Sequence, residues 1–107
     1  MIIRKTVTFE AAHKLPFHNN VHGHSYEVTV ELEGELDRAH NELSGVLMPF
    51  GTIERTIKDK LDHKDLNRVI DKPTMENIAL YIARLFPEAK IVLRRPTCGE
   101  EVEVRFS

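Results

Sequence analysis

Every second residue from Ile3 reads Ile3, Lys5, Val7, Phe9, Ala11, His13, and every second residue back from Leu32 reads Leu32, Val30, Val28, Tyr26, His24, His22. A strand turns alternate side chains to opposite faces, so each series is one strand face, apolar over most of its length. The spacing predicts strands over residues 2–13 and 24–34, joined by a loop through Pro16 and Asn19-Asn20. The other face of the second strand, Ser25, Glu27, Thr29, Glu31 and Glu33, is polar at every step, as in an antiparallel sheet with one wet face. Gly34 ends it, and residues 35–48 form a loop-rich link. Ile53, Ile57 and Leu61 fall at i, i+4 and i+8 and predict a helix from Thr52 to Asp62. Met75, Ile78, Ala79, Ile82, Leu85 and Phe86 predict a second helix from Met75 to Phe86. Thr74 is its N-cap, Glu76 lies in its first turn and Pro87 stops it. Two further strands, 90–95 and 101–106, form a hairpin through Pro96-Thr-Cys-Gly99. The order strand-strand-helix-helix-strand-strand predicts an α+β fold: a four-stranded antiparallel sheet with two helices packed on one face.

Composition narrows what such a layer does. A chain of 107 residues is expected to form a single domain over residues 1–107. Chains of this size bury about 60–65% of their unfolded surface, so association with further copies would help. The formal net charge is −2, its charges are mixed along the chain and Trp is absent. That pattern argues against nucleic acid and against an anionic membrane surface. No apolar run approaches membrane-spanning length, the N-terminus lacks a signal-peptide core, and the lone Cys98 agrees with a reducing compartment. A soluble, cytoplasmic protein is the expectation.

The candidate chemistry sits where the two apolar faces end. His13, His18, His22 and His24, four of the six histidines, fall within twelve residues. If neither strand is interrupted by a bulge, His13, His22 and His24 extend the apolar face of the hairpin and converge. Three neutral imidazoles with a fourth position left open are the ligand set of a catalytic zinc site. Gly23, between His22 and His24, would let a metal or ligand approach the backbone. A lone His-X-His is common on ordinary strands, but three buried histidines without a shared partner would each need separate hydrogen bonds.

Phe9-Glu-Ala-Ala-His13, His22-Gly-His24, Leu61-Asp-His-Lys-Asp-Leu-Asn67 and Pro73-Thr-Met-Glu-Asn-Ile78 resemble, in order and over nearly the whole chain, the 6-pyruvoyl-tetrahydropterin synthase and 6-carboxy-tetrahydropterin synthase family. The resemblance implies the T-fold and a zinc ion on His13, His22 and His24. It also implies a reduced pterin substrate such as dihydroneopterin triphosphate. Subunits would pair edge to edge, as a homohexamer built from a dimer of trimers, with active sites between them. It makes Asp62-His63 a proton-handling dyad, although by position alone His63 reads as a surface residue at a helix end. It places Glu76, and with it Thr74, in the pterin pocket, where a carboxylate suits the paired N–H donors of the amino-pyrimidine edge.

Two positions depart from the family pattern. The family carries a cysteine, its general base, four residues before His-Gly-His; here that position is His18. An imidazole abstracts protons near neutrality, so His18 is a candidate base. It is equally a candidate fourth zinc ligand, which would close the site, or a solvated loop residue. The family's pterin-anchoring glutamate at the end of the third strand aligns with Arg95, a cation that would repel those donors, leaving Glu100 or Glu101 as substitutes. Both departures touch function rather than scaffold. They keep open a second reading, a non-catalytic zinc-holding protein that binds a pterin- or purine-like ligand.

Overall fold

The computed structural model describes residues 1–17, 20–36 and 45–106. Its elements are β1 (Ile2–His13), β2 (His22–Glu33), α1 (Phe50–Leu61), β3 (Lys64–Asp65), α2 (Met75–Leu85), β4 (Lys90–Arg95) and β5 (Glu100–Arg105), with short 3-10 turns at Leu66–Arg68 and Pro96–Cys98. Strands β1 and β2 pair without a bulge from Ile2↔Glu33 to His13↔His22. That uninterrupted register carries the alternation of both faces to the last pair. Val7, Phe9, Tyr26, Val28 and Val30 are buried on one face, and Phe9 stacks on Tyr26 with ring centroids 4.9 Å apart.

Both helices cover that face. Ile53, Ile57 and Leu61 of α1 and Ile78, Ala79 and Ile82 of α2 are fully buried against the sheet. Helix α1 begins at Phe50, two residues earlier than its apolar spacing shows, because Pro49 as N-cap already holds the extended conformation from which a helix can start. Thr74 caps α2, its Oγ1 accepting the Asn77 N–H at 3.2 Å. None of the helices among the described residues is long and apolar enough to cross a membrane.

The sheet differs from the four antiparallel strands expected. Its order among the described residues is β3-β1-β2-β4-β5, five strands, with β3 running parallel to β1 at Ala11–Ala12. The physical reason lies in how the chain leaves α1. Asp62 Oδ1 accepts the Glu10 N–H at 2.9 Å and the His63 N–H donates to the Glu10 carbonyl at 2.6 Å. Those two bonds dock the chain on the open edge of β1, and Lys64–Asp65 continue the pairing. Two residues are too short to show any periodicity, so this strand has no signal in the sequence.

Candidate metal centre

The end of the hairpin builds the cluster, from the His13↔His22 pair and from His24, which pairs with Ala11. Ligand nitrogens of His13, His22 and His24 all lie within 4.8 Å of one another. The rings meet edge to face with centroids 4.5 to 4.9 Å apart. His13, 1% exposed, closes the core, while His22 and His24 are half-buried.

Carbonyl groups fix how the rings face. His13 Nδ1 lies 2.8 Å from the Pro73 carbonyl and His22 Nδ1 lies 3.1 Å from the Asn20 carbonyl. A carbonyl only accepts, so both Nδ1 atoms carry the proton and, in the neutral rings, both Nε2 atoms present a lone pair. These two Nε2 atoms stand 2.9 Å apart. Two lone pairs facing each other at that distance need a shared proton or a cation between them. Backbone carbonyls on the outer nitrogen are also how metal-ligating histidines are oriented. The donor set therefore fits a zinc ion, with His13, His22 and His24 as the residues to hold it.

Burial, Arg95, and the neighbouring His13 and His22 together lower the His24 pKa to about 4, against a smaller opposing effect of Glu100. At neutral pH the ring is thus an uncharged donor. Tyr26 backs it with a centroid distance of 5.9 Å. Its hydroxyl is buried with no hydrogen-bond partner among the described residues, and burial pushes the phenol up to about 12.

The cluster opens into a cavity of about 680 Å³ whose walls include Leu15, Phe17, Thr74, Met75, Glu76, Arg95 and Glu100. Pro73 and Thr74 are brought there by α2, whose start is fastened by the Thr74 N–H and the Asn77 side chain, both donating to the Lys72 carbonyl. Thr74 and Glu76 thus share the cavity of the histidines, as the resemblance implies. The cap engages one lone pair of the Thr74 hydroxyl, which leaves its O–H and a second lone pair to offer a ligand.

Asp62 and His63 lie elsewhere. His63 lines a second cavity of about 470 Å³ with Glu10, Gly23, Ser25, Lys64 and Asp65, and His24 borders this cavity as well as the first. Gly23 belongs to that cavity, not to the metal cluster: two residues of one strand face share a side, and the residue between them faces away. A Cβ there would meet only the Ala11 carbonyl, at 3.8 Å. The Glu10 N–H bond is the main influence holding the Asp62 carboxyl below the usual aspartate range. Asp62 Oδ2 sits 3.5 Å from His63 Nε2, and His63 takes the left-handed backbone conformation at φ 57°. His18 lies outside the described residues.

Two features gave no signal in the side-chain pattern. Asn67 exchanges hydrogen bonds of 2.7 and 2.8 Å with the backbone of Lys14, pinning the chain directly after His13. Arg95 turns into the histidine cavity, where its Nη1 stands 2.8 Å from His24 Nε2, its Nε donates to Glu100 Oε1 at 2.7 Å and its Nη2 bonds the same oxygen. Glu100, a candidate pterin anchor by sequence, is thereby engaged with Arg95, and Glu101 pairs with Arg94.

Comparison with known proteins agrees with this geometry. A sequence profile described as 6-pyruvoyl tetrahydropterin synthase matches residues 2–105. An Archaeoglobus fulgidus protein provisionally named 6-carboxy-5,6,7,8-tetrahydropterin synthase is 36% identical over 106 residues, covering 94% of this chain and 88% of its own. A dihydroneopterin monophosphate aldolase of Pyrococcus furiosus is 36% identical over 81 residues, 71% of this chain and 66% of its own. In structure, the Caenorhabditis elegans 6-pyruvoyl tetrahydropterin synthase superposes with a TM-score of 0.75 at 21% identity, covering 100% of this chain and 96% of that one. The fold is the T-fold, and the chain belongs to the 6-pyruvoyl tetrahydropterin synthase family.

Proposed function

We propose that this chain is a zinc-dependent lyase of the tetrahydropterin synthase type, acting on 7,8-dihydroneopterin triphosphate or a related reduced pterin. The observation that carries this reading is the convergence of three imidazoles on a cavity that Thr74 and Glu76 also line. Family membership supports a pterin as substrate. Relatives named as a carboxy-pterin synthase and as an aldolase point to chemistry on the side chain of the ring system rather than on the ring.

Bound at the cluster, zinc supplies Lewis-acid polarisation of side-chain oxygens. Glu76 accepts the N–H donors of the amino-pyrimidine edge, and the Thr74 hydroxyl donates to a ring acceptor. His18 serves as the base, and Asp62-His63 passes the proton on, the carboxylate setting the ring's tautomer.

His63 lines one cavity and His13 and His22 the other, with His24 bordering both, and the open edges of the sheet favour a site completed between copies. Among the described residues, β1 has no partner strand on its outer edge from Ile2 to Phe9, and β5 is the opposite edge of the sheet. Open edges of this kind pair with other chains, and a closed ring leaves none exposed. The proposed assembly is a homohexamer, a dimer of trimers.

The test is incubation of zinc-loaded protein with dihydroneopterin triphosphate, following pterin products and released triphosphate together. Triphosphate release with a changed pterin supports the synthase reading, and a shortened side chain places the chain among aldehyde-releasing members. Unchanged substrate with zinc bound would overturn the proposed reaction and leave a zinc-holding, ligand-binding protein.

A further inference from the structure

Arg95 stands against a residue of the proposed metal set. Its side chain is 14% exposed and spans from Glu100 on β5 to His24 on β2, with Nη1 2.8 Å from His24 Nε2. A guanidinium has donors and no acceptor, so His24 Nε2 is the acceptor and gives Arg95 the ring's lone pair. A neutral imidazole has one such lone pair.

That limit decides the matter whichever nitrogen a metal takes. If the metal takes Nε2, Arg95 must withdraw from the same atom. If it takes Nδ1, the neutral ring carries its proton on Nε2, where two donors would then face each other at hydrogen-bond distance. The charge of Arg95 is offset by Glu100, which it binds through Nε and Nη2, so the exclusion rests on the lone pair of His24.

We propose that Arg95, held in place by Glu100, competes with the metal ion for His24 and so sets the metal affinity of the cluster. This rests on reading His13, His22 and His24 as a metal site. Arg95 is a positioning residue under this proposal: it acts through His24. The coupling is reciprocal, so metal uptake shifts the Arg95–Glu100 pair away from His24 by as much as that pair weakens uptake.

The experiment is zinc affinity, measured by competition with a chromophoric chelator, for the full chain and its variants. Releasing a charge-assisted hydrogen bond should make Arg95→Met bind zinc about tenfold to a hundredfold more tightly than the unaltered chain. Arg95→Gln, which keeps a donor and loses the charge, should show a smaller gain in the same direction. It carries the test if the methionine variant does not fold. In a His24→Ala background the Arg95→Met gain should vanish, since the contact it relieves is gone. Equal or weaker zinc binding by Arg95→Met and Arg95→Gln overturns the proposal. So does a gain that persists without His24, which would make Arg95 a general repulsive charge. Absence of zinc binding in every protein would overturn the metal-site reading itself, a separate failure from equal affinities.

Discussion

His13 and His63 both sit beside the final residues of β1, one on its core face and 1% exposed, the other past its open edge with a side chain 80% exposed. His13 is fastened by the Pro73 carbonyl and by its two neighbouring rings. At the other corner the fastening falls on Asp62 and on the backbone of His63, while the ring reaches into solvent. The buried histidine belongs to a cluster that one chain completes from its own hairpin. The exposed one is positioned in backbone and its ring faces solvent, as the proposed role across a subunit boundary requires.

Substitutions sharpen that contrast. The largest effect is expected for His13→Ala. It removes one of the three proposed ligands and should weaken zinc binding on the order of a hundredfold or more, since even partners behind a ligand cost ten- to a hundredfold. It also strands the Pro73 carbonyl at a cost of about 1–3 kcal/mol. Metal analysis and urea denaturation read the two losses separately. A variant with full zinc content would break the comparison.

Asp62→Ala should cost about 1 kcal/mol, by unpairing the Glu10 N–H at an edge that water reaches, with zinc content unchanged. Because the Asp62 pKa is lowered on folding, its ionised form is the stabilising one. Its contribution is complete above the ordinary aspartate range and fades as pH falls through the lower folded-state value. The stability gap between the two proteins should therefore close below about pH 4. A gap that widens on acidification would reverse the assigned sign.

The smallest effect on stability is expected for His63→Gly. Glycine adopts φ 57° without the strain a side chain brings, so stability should hold or rise by up to about 1 kcal/mol, with zinc retained. If thermal denaturation instead showed a clear loss, the His63 ring would have a structural role that its exposure argues against. Turnover of a pterin, if the proposed role holds, should fall by about a hundredfold or more in the same variant.

The sequence exposed most of the scaffold because long elements write their period into it. The alternation through Phe9 and Tyr26 and the spacing of Ile53, Ile57 and Leu61 carry directly to the buried face. The convergence of His13, His22 and His24 followed from the same alternation, since an unbroken register leaves them nowhere else to point. What stayed illegible depends on contacts between distant segments. Strand β3 exists through two hydrogen bonds to Glu10, and the tautomers of His13 and His22 are set by carbonyls of Pro73 and Asn20, groups that every residue type carries. Arg95 was visible as a departure from the family pattern. Its engagement with both Glu100 and His24 was not, because a side chain's partner depends on the facing strands.

The twelve-step pairing from Ile2↔Glu33 to His13↔His22 has a consequence for how such a chain can vary. Inserting or deleting one residue anywhere between Val7 and Ala11 would rotate His13 to the solvent face while leaving all three histidines in the sequence. Length changes in the segment joining the two strands carry no such penalty on phase. Among natural variants, gaps should therefore accumulate between His13 and His22 and be purged within the strands, even where the residues themselves drift.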